Sequence, residues 1–162
     1  MIFSIFSSKT EKLSVGVTGK AIETRLFTGK DRAALQEIYF ESRVIAFNWL
    51  DSSPFKKDDF DRDTDCECIW VATVKDKPVG FISAWEPENF IHNLFVQPSN
   101  IGRGIGTALL DVCLKKIGRP AKLKCLENNV SAKNFYLSRG WKIISNGEGP
   151  DGNYQLMKFD AK

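Results

Sequence analysis

Residues 91–116, IHNLFVQPSNIGRGIGTALLDVCLKK, constrain the fold more than any other stretch of the chain. An apolar run from Ile91 to Val96 has the make-up of a buried strand, and Pro98-Ser99-Asn100 then turns it. Glycine follows at every second position (Gly102, Gly104 and Gly106) before a helical run opens at Thr107. Glycines so spaced let backbone approach a ligand with no side chain in the way. The first amides of a helix have no partner inside it, and the helix dipole adds partial positive charge there. Strand, glycine-rich turn and helix N-terminus together suit a phosphate group. A tight turn with no ligand is the plainer alternative.

Two familiar phosphate motifs do not fit. Walker A needs a Lys-Ser/Thr pair after its last glycine, and none stands near Thr107. The dinucleotide fingerprint, started at Gly102-x-Gly104, wants a third glycine where Thr107 stands.

A chain of 162 residues is long enough to bury one substantial core and reads as one domain. A formal net charge of +3, with acids and bases interspersed, makes no electrostatic case for nucleic acid. The apolar start breaks at Ser7-Ser8-Lys9, far short of the ~20 residues of a membrane span. Residues 1–20 read as a loosely held leader and residues 21–162 as the folded domain. Cys66, Cys68, Cys113 and Cys125 show no framework spacing, which points to reduced thiols in a cytoplasmic protein.

Residues 21–27 read as a strand, and Thr28 to Asp31 has the form of a capping box. Helical periodicity continues to Leu50, with a break expected near Ser42. Residues 51–67 hold seven acids and read as a solvated acidic loop able to draw a cationic amine. Their alternation fails the EF-hand pattern, since the required glycine and the final glutamate are missing. Cys66-Glu67-Cys68 has neither a second cysteine pair nor a nearby histidine, so no metal is expected. Strands follow at 68–74 and 79–85 about a turn at 75–78, then the central strand at 90–96. The helix from Gly104 stops at Gly118. A strand at 121–126 and a helix at 131–139 precede strands at 141–144 and 154–159, joined by a glycine-rich loop. This order is that of a mixed α/β sheet.

Ile101-Gly102-Arg103-Gly104-Ile105-Gly106 resembles the acyl-CoA motif [Q/R]-x-x-G-x-[G/A] of the GNAT superfamily of N-acyltransferases. The family's Gln or Arg is Ile101 here, which leaves phosphate to the backbone and to Arg103. A later block, Asn129, Ala132, Phe135, Tyr136, Gly140 and Trp141, is similar to the family's N-x-x-A-x-x-F-Y-x-x-x-G-[F/W] at every marked position. The resemblance covers residues 21–160. It implies an α/β (α+β) fold: one mixed, mostly antiparallel sheet flanked by helices, its central strands splayed to admit pantetheine. It also implies an N-acetyltransferase that moves an acetyl group from acetyl-CoA to a primary amine by direct attack on the thioester. A catalytically silent CoA-binding or interaction domain on the same fold is the alternative.

The same resemblance assigns roles. Backbone of Leu94, Phe95 and Val96 meets the pantetheine arm and the acyl carbonyl, with the Leu94 amide facing the oxyanion. Amides of Gly102, Arg103, Gly104, Ile105, Gly106 and Thr107 hold the pyrophosphate, with Ile101 beside them in the cofactor-binding motif, and Asn129 holds the cofactor arm. Tyr136 protonates the leaving thiolate. Asn129 reads equally as a helix N-cap, and Tyr136 as core. His92, the only histidine, is a base or a structural residue. Strand alternation puts it on the face of Leu94 and Val96. Glu86, Glu88 and Glu127 are weaker candidates for the base. The acceptor is a small-molecule or peptide amine, with no nucleic-acid or membrane partner, and a homodimer is one option.

Overall fold

A computed structural model describes residues 21–161; the leader expected at residues 1–20 lies outside them. Among the described residues, seven strands form one sheet in the order β1-β2-β3-β4-β5-β7-β6. They are β1 (Ile22–Leu26), β2 (Cys68–Val74), β3 (Lys77–Trp85), β4 (Phe90–Val96), β5 (Ala121–Leu126), β6 (Lys142–Gly149) and β7 (Gly152–Phe159). The helices are α1 (Arg32–Ala46), α2 (Asp59–Asp63), α3 (Ile105–Lys116) and α4 (Val130–Leu137). All neighbouring strands run antiparallel except β4 and β5, which are parallel.

The β2–β3 turn is tight because Lys75 and Asp76 both adopt positive φ, 52° and 61°. That is the two-residue hairpin conformation that matches strand twist. The parallel pair β4–β5 is in register only at Phe90↔Lys122 and Ile91↔Leu123. Beyond Ile91 the two strands share no register, and this is the splay the sequence resemblance implies.

Each face of the sheet carries its own core. Leu94, Val96, Ile105, Leu109, Tyr136 and Trp141 belong to the face covered by α3 and α4. Leu35, Tyr39, Phe60, Phe81 and Phe95 form the face covered by α1 and α2. Tyr39 and Phe95 meet edge-on with ring centroids 5.0 Å apart.

Three expectations need correction. α1 does not break near Ser42: it runs unbroken, and buried Ser42 donates its hydroxyl to the Val96 carbonyl at 3.2 Å. The acidic stretch is not a solvated loop, because Asp59 is buried and α2 lies within it. The last two strands extend through the expected glycine-rich loop, leaving only Pro150 and Asp151 between β6 and β7.

Candidate active site

The glycine-rich turn is built open. Gly102 and Gly104 both stand at φ +81°, a conformation that favours glycine, and a Cβ at either would meet nothing within 4 Å. Gly104 is the N-cap of α3, and its carbonyl accepts the first helical bond from Ala108 at 3.0 Å. The amides of Ile105, Gly106 and Thr107 therefore lie in the first turn, where a helix leaves donors free. An anion fits here without displacing a side chain. Ile105 is buried and anchors the helix to the sheet. Ile101 is half-buried against both cores, so its apolar side chain closes the sheet rather than facing the cradle. Exposed Arg103 reaches back to Asn100 Oδ1 at 3.4 Å, a long bond.

At its other end β4 carries the catalytic candidates. Ser83 faces Asn93 and Ala84 faces Ile91, so His92 is the extra residue of a β-bulge. A bulge re-aims a side chain. His92 consequently leaves the face of Leu94 and Val96, where alternation would put it, and lines one cavity together with Asn93. Its Nδ1 hydrogen-bonds Oε1 of Glu67. A carboxylate can only accept, so Nδ1 carries the proton and Nε2 is left as a base. The Glu67 side chain is 5% exposed against 32% for His92. The other Glu67 oxygen accepts from Ser83 Oγ, which in turn accepts from Asn93 Nδ2 at 2.8 Å. The orienting carboxylate is thus itself held.

The cavity, of about 630 Å³, lies between α1, α2 and β4. Phe47, Leu50 and Phe55 give it an apolar wall, and Asp59, Asp63, Glu67 and Asp151 face Arg43 and Arg62 across it. Arg43 lies under Tyr39 (4.1 Å) and Phe55 (4.5 Å) and pairs with Asp59 at 2.7 Å, both side chains under a tenth exposed. Burial would raise the Asp59 carboxyl, but the Lys56 amide and the two guanidinia outweigh it and hold its pKa below the ordinary value. Arg62 bridges Asp59 and Asp63, and Tyr39 donates to Asp63 at 2.8 Å. These four charges cancel. Glu67 and Asp151 are the excess, and Asp151 has no hydrogen bond or ion pair among the described residues. The cavity therefore attracts cations.

On the α4 side, Asn129 Oδ1 accepts from the Ala132 amide at 3.1 Å, which caps the helix. Tyr136 is fully buried, with its ring against Phe135 (5.2 Å) and Trp141 (5.5 Å). It stands in the same core cluster as Leu94 and Val96. Phe95 turns its side chain to the α1 face, so only its backbone borders the splay. Of the weaker base candidates, Glu88 lines a shallower hollow with His92 and Cys66, whereas Glu127 lines a separate one. Glu67 was the residue the sequence hid, because it closes the acidic run. Only the register of the β2–β3 hairpin, counted back from Lys75-Asp76, brings it beside β4.

Residues 65–143 match the family described as Acetyltransferase (GNAT) domain. The chain is 33% identical over 76 residues to the uncharacterized N-acetyltransferase YafP of Escherichia coli, a segment that is 47% of each protein. The likeness thus spans about half of YafP's length. It is 29% identical over 117 residues to peptidyl-lysine N-acetyltransferase YiaC of the same organism, 68% of this chain and 77% of that one. In fold it resembles PaiA N-acetyltransferase of Thermoplasma acidophilum, solved in complex with coenzyme A. That match has a TM-score of 0.69 and 19% identity over 86% of this chain and 99% of that one. Domain match and fold agree: residues 65–143 match the GNAT acetyltransferase domain, and the sheet around them has the fold of solved GNAT acetyltransferases.

Proposed function

We propose that the chain transfers the acetyl group of acetyl-CoA to a primary amine by direct attack, in the cytoplasm. The observation that carries this reading is the His92–Glu67 pair, set by the β4 bulge in an acidic, aromatic-walled cavity. The relatives named above are N-acetyltransferases, and a fold neighbour binds coenzyme A. The open turn at Gly102 and Gly104 suits the pyrophosphate, and the gap where β4 leaves β5 suits the pantetheine arm.

An amine arrives as an ammonium and must lose a proton before it can attack. The excess carboxylates draw it in, and His92 Nε2 takes the proton while Glu67 steadies the imidazolium that results. The free amine then adds to the thioester carbonyl. The Leu94 amide faces the oxyanion, backbone of Phe95 and Val96 borders the arm, and Asn129 holds α4 beside it. Collapse breaks the C–S bond, and Tyr136 gives its proton to the thiolate. The products are the N-acetylated amine and CoA.

The acceptor in this reading is a cationic amine, on a peptide or a small molecule, because four carboxylates face two guanidinia in the cavity. YiaC acts on peptidyl-lysine, which is such an amine. All four cysteines are free, which fits a reducing compartment. The test is amine-dependent release of CoA thiol from acetyl-CoA. CoA binding without turnover on any amine would instead identify a silent binding domain.

A further inference from the structure

Arg139 is a cation with no carboxylate partner among the described residues, set beside the N-terminus of α3. It lies just past α4, and its Nη2 donates to the Thr107 hydroxyl at 2.6 Å. Thr107 is the third residue of α3. The guanidinium therefore rests against a helix end that already carries partial positive charge and unpaired N–H groups. Its other contacts hold it there without neutralising it. The group sits over the Phe135 ring at 3.7 Å, and Nη1 donates to the Phe135 carbonyl and the Ser138 hydroxyl, each at 3.1 Å.

No carboxylate among the described residues forms an ion pair with Arg139. Partial burial lowers its pKa, and Asp111 and Tyr136 act on it only through space. Two like-signed elements, a partly buried cation and a helix N-terminus, thus converge beside the open glycine turn. The two residues on which the sequence motif would place this duty are elsewhere: Ile101 closes the sheet and Arg103 points back to Asn100.

We propose that Arg139 is the charged side-chain ligand of the CoA pyrophosphate, reaching it from α4 to do what Ile101 cannot. The proposal rests on the reading of the α3 turn as the CoA cradle. Thr107 aims the guanidinium, Phe135 supports it, and a phosphate neutralises both positive elements at once.

The test titrates CoA, dephospho-CoA and pantetheine into the parent, Arg139→Gln and Arg139→Lys by calorimetry, beside melting curves of the free proteins. Arg139→Gln should weaken CoA and dephospho-CoA alike by about 10- to 100-fold and leave pantetheine unchanged. It should also flatten the salt dependence of CoA binding. Arg139→Lys keeps the charge but loses the fork, so a loss of a few-fold is expected on the same two ligands. Should Arg139→Gln fail to fold, the lysine variant carries the same comparison. Unchanged CoA affinity overturns the proposal. So does a loss absent with dephospho-CoA, which would assign Arg139 to the 3′-phosphate, and so does an equal loss with pantetheine, which would make its role structural. If the parent itself binds no CoA, the cradle reading falls as well. Parent binding with indifferent variants removes only Arg139.

Discussion

His92 Nδ1 hydrogen-bonds Oε1 of Glu67 across the sheet, from a bulge in β4 to the residue that precedes β2. The contact leaves Nε2 free of a partner among the described residues, on a ring that lines the acidic cavity. His92→Ala should therefore lower kcat/KM by about 10²-fold or more. A general base accepts its proton in the deprotonated form, so the acidic limb of the pH–rate profile should vanish in the variant. Glu67→Gln keeps an acceptor for Nδ1 but removes the charge that steadies the imidazolium, so a smaller loss, about 10-fold, is expected. Pre-steady-state and steady-state rates against pH check both, with CoA affinity nearly unchanged.

Tyr136 is fully buried beside Trp141, and Tyr136→Phe keeps that packing. A thiol with pKa near 8.5 is a tolerable leaving group even without an acid. Loss of the phenol should thus lower kcat by about 10²-fold, the low end of acid catalysis. Stability should change by about 1 kcal/mol or less. Full activity with an unchanged melt would mean that water delivers the proton.

Gly104 holds φ +81° at the N-cap of α3. Gly104→Ala should destabilise by about 1 kcal/mol from backbone strain alone, since the new Cβ meets nothing. Gly104→Glu adds a carboxylate where phosphate is expected, and CoA affinity should fall by at least about 10-fold. Calorimetry with CoA, beside melting curves, separates strain from repulsion.

Asp31 accepts both guanidinium nitrogens of Arg25, at 2.7 and 2.8 Å, and closes the Thr28 capping box. The Arg25 bonds outweigh burial and lower its pKa to about 2. A depressed carboxyl stabilises the fold above its ordinary pKa of 3.8, and the contribution is lost as pH falls towards 2. Asp31→Asn should cost about 1–2 kcal/mol at neutral pH, discounted because Arg25 is partly exposed. The gap to the parent should close in acid, as read by urea melts at neutral pH and near pH 2.

Local chemistry was legible in the sequence; long-range pairing was not. Lys75-Asp76 marked the hairpin, Gly102 and Gly104 marked the open turn, and the block from Asn129 to Trp141 marked α4 with its cap. Each of these signals acts within a few residues. Ser42 reads as a helix breaker, yet its hydroxyl is satisfied by the distant Val96 carbonyl. Asp59 reads as a solvated acid, yet Arg43 from α1 draws it inside. The face of His92 could not be read by alternation, because a bulge depends on how β3 and β4 pair. The ends of β6 and β7 were hidden by Gly147, Gly149 and Gly152, which resemble a loop but pair across the strands.

In the proposed reaction the acetyl group passes directly from acetyl-CoA to an amine on the His92–Glu67 side of the splay. Mass spectrometry of protein and acceptor, after incubation with acetyl-CoA with and without a cationic primary amine, tests it most directly. Direct transfer predicts one acetyl group on the amine, CoA release only when amine is present, and an unmodified protein in both samples. It also predicts that His92→Ala abolishes most of the transfer. The residue most able to contradict it is Cys66, an exposed thiol that lines the shallower hollow with His92. An acetyl group on Cys66 that forms without amine and is discharged by amine would replace direct attack with an acyl-enzyme route.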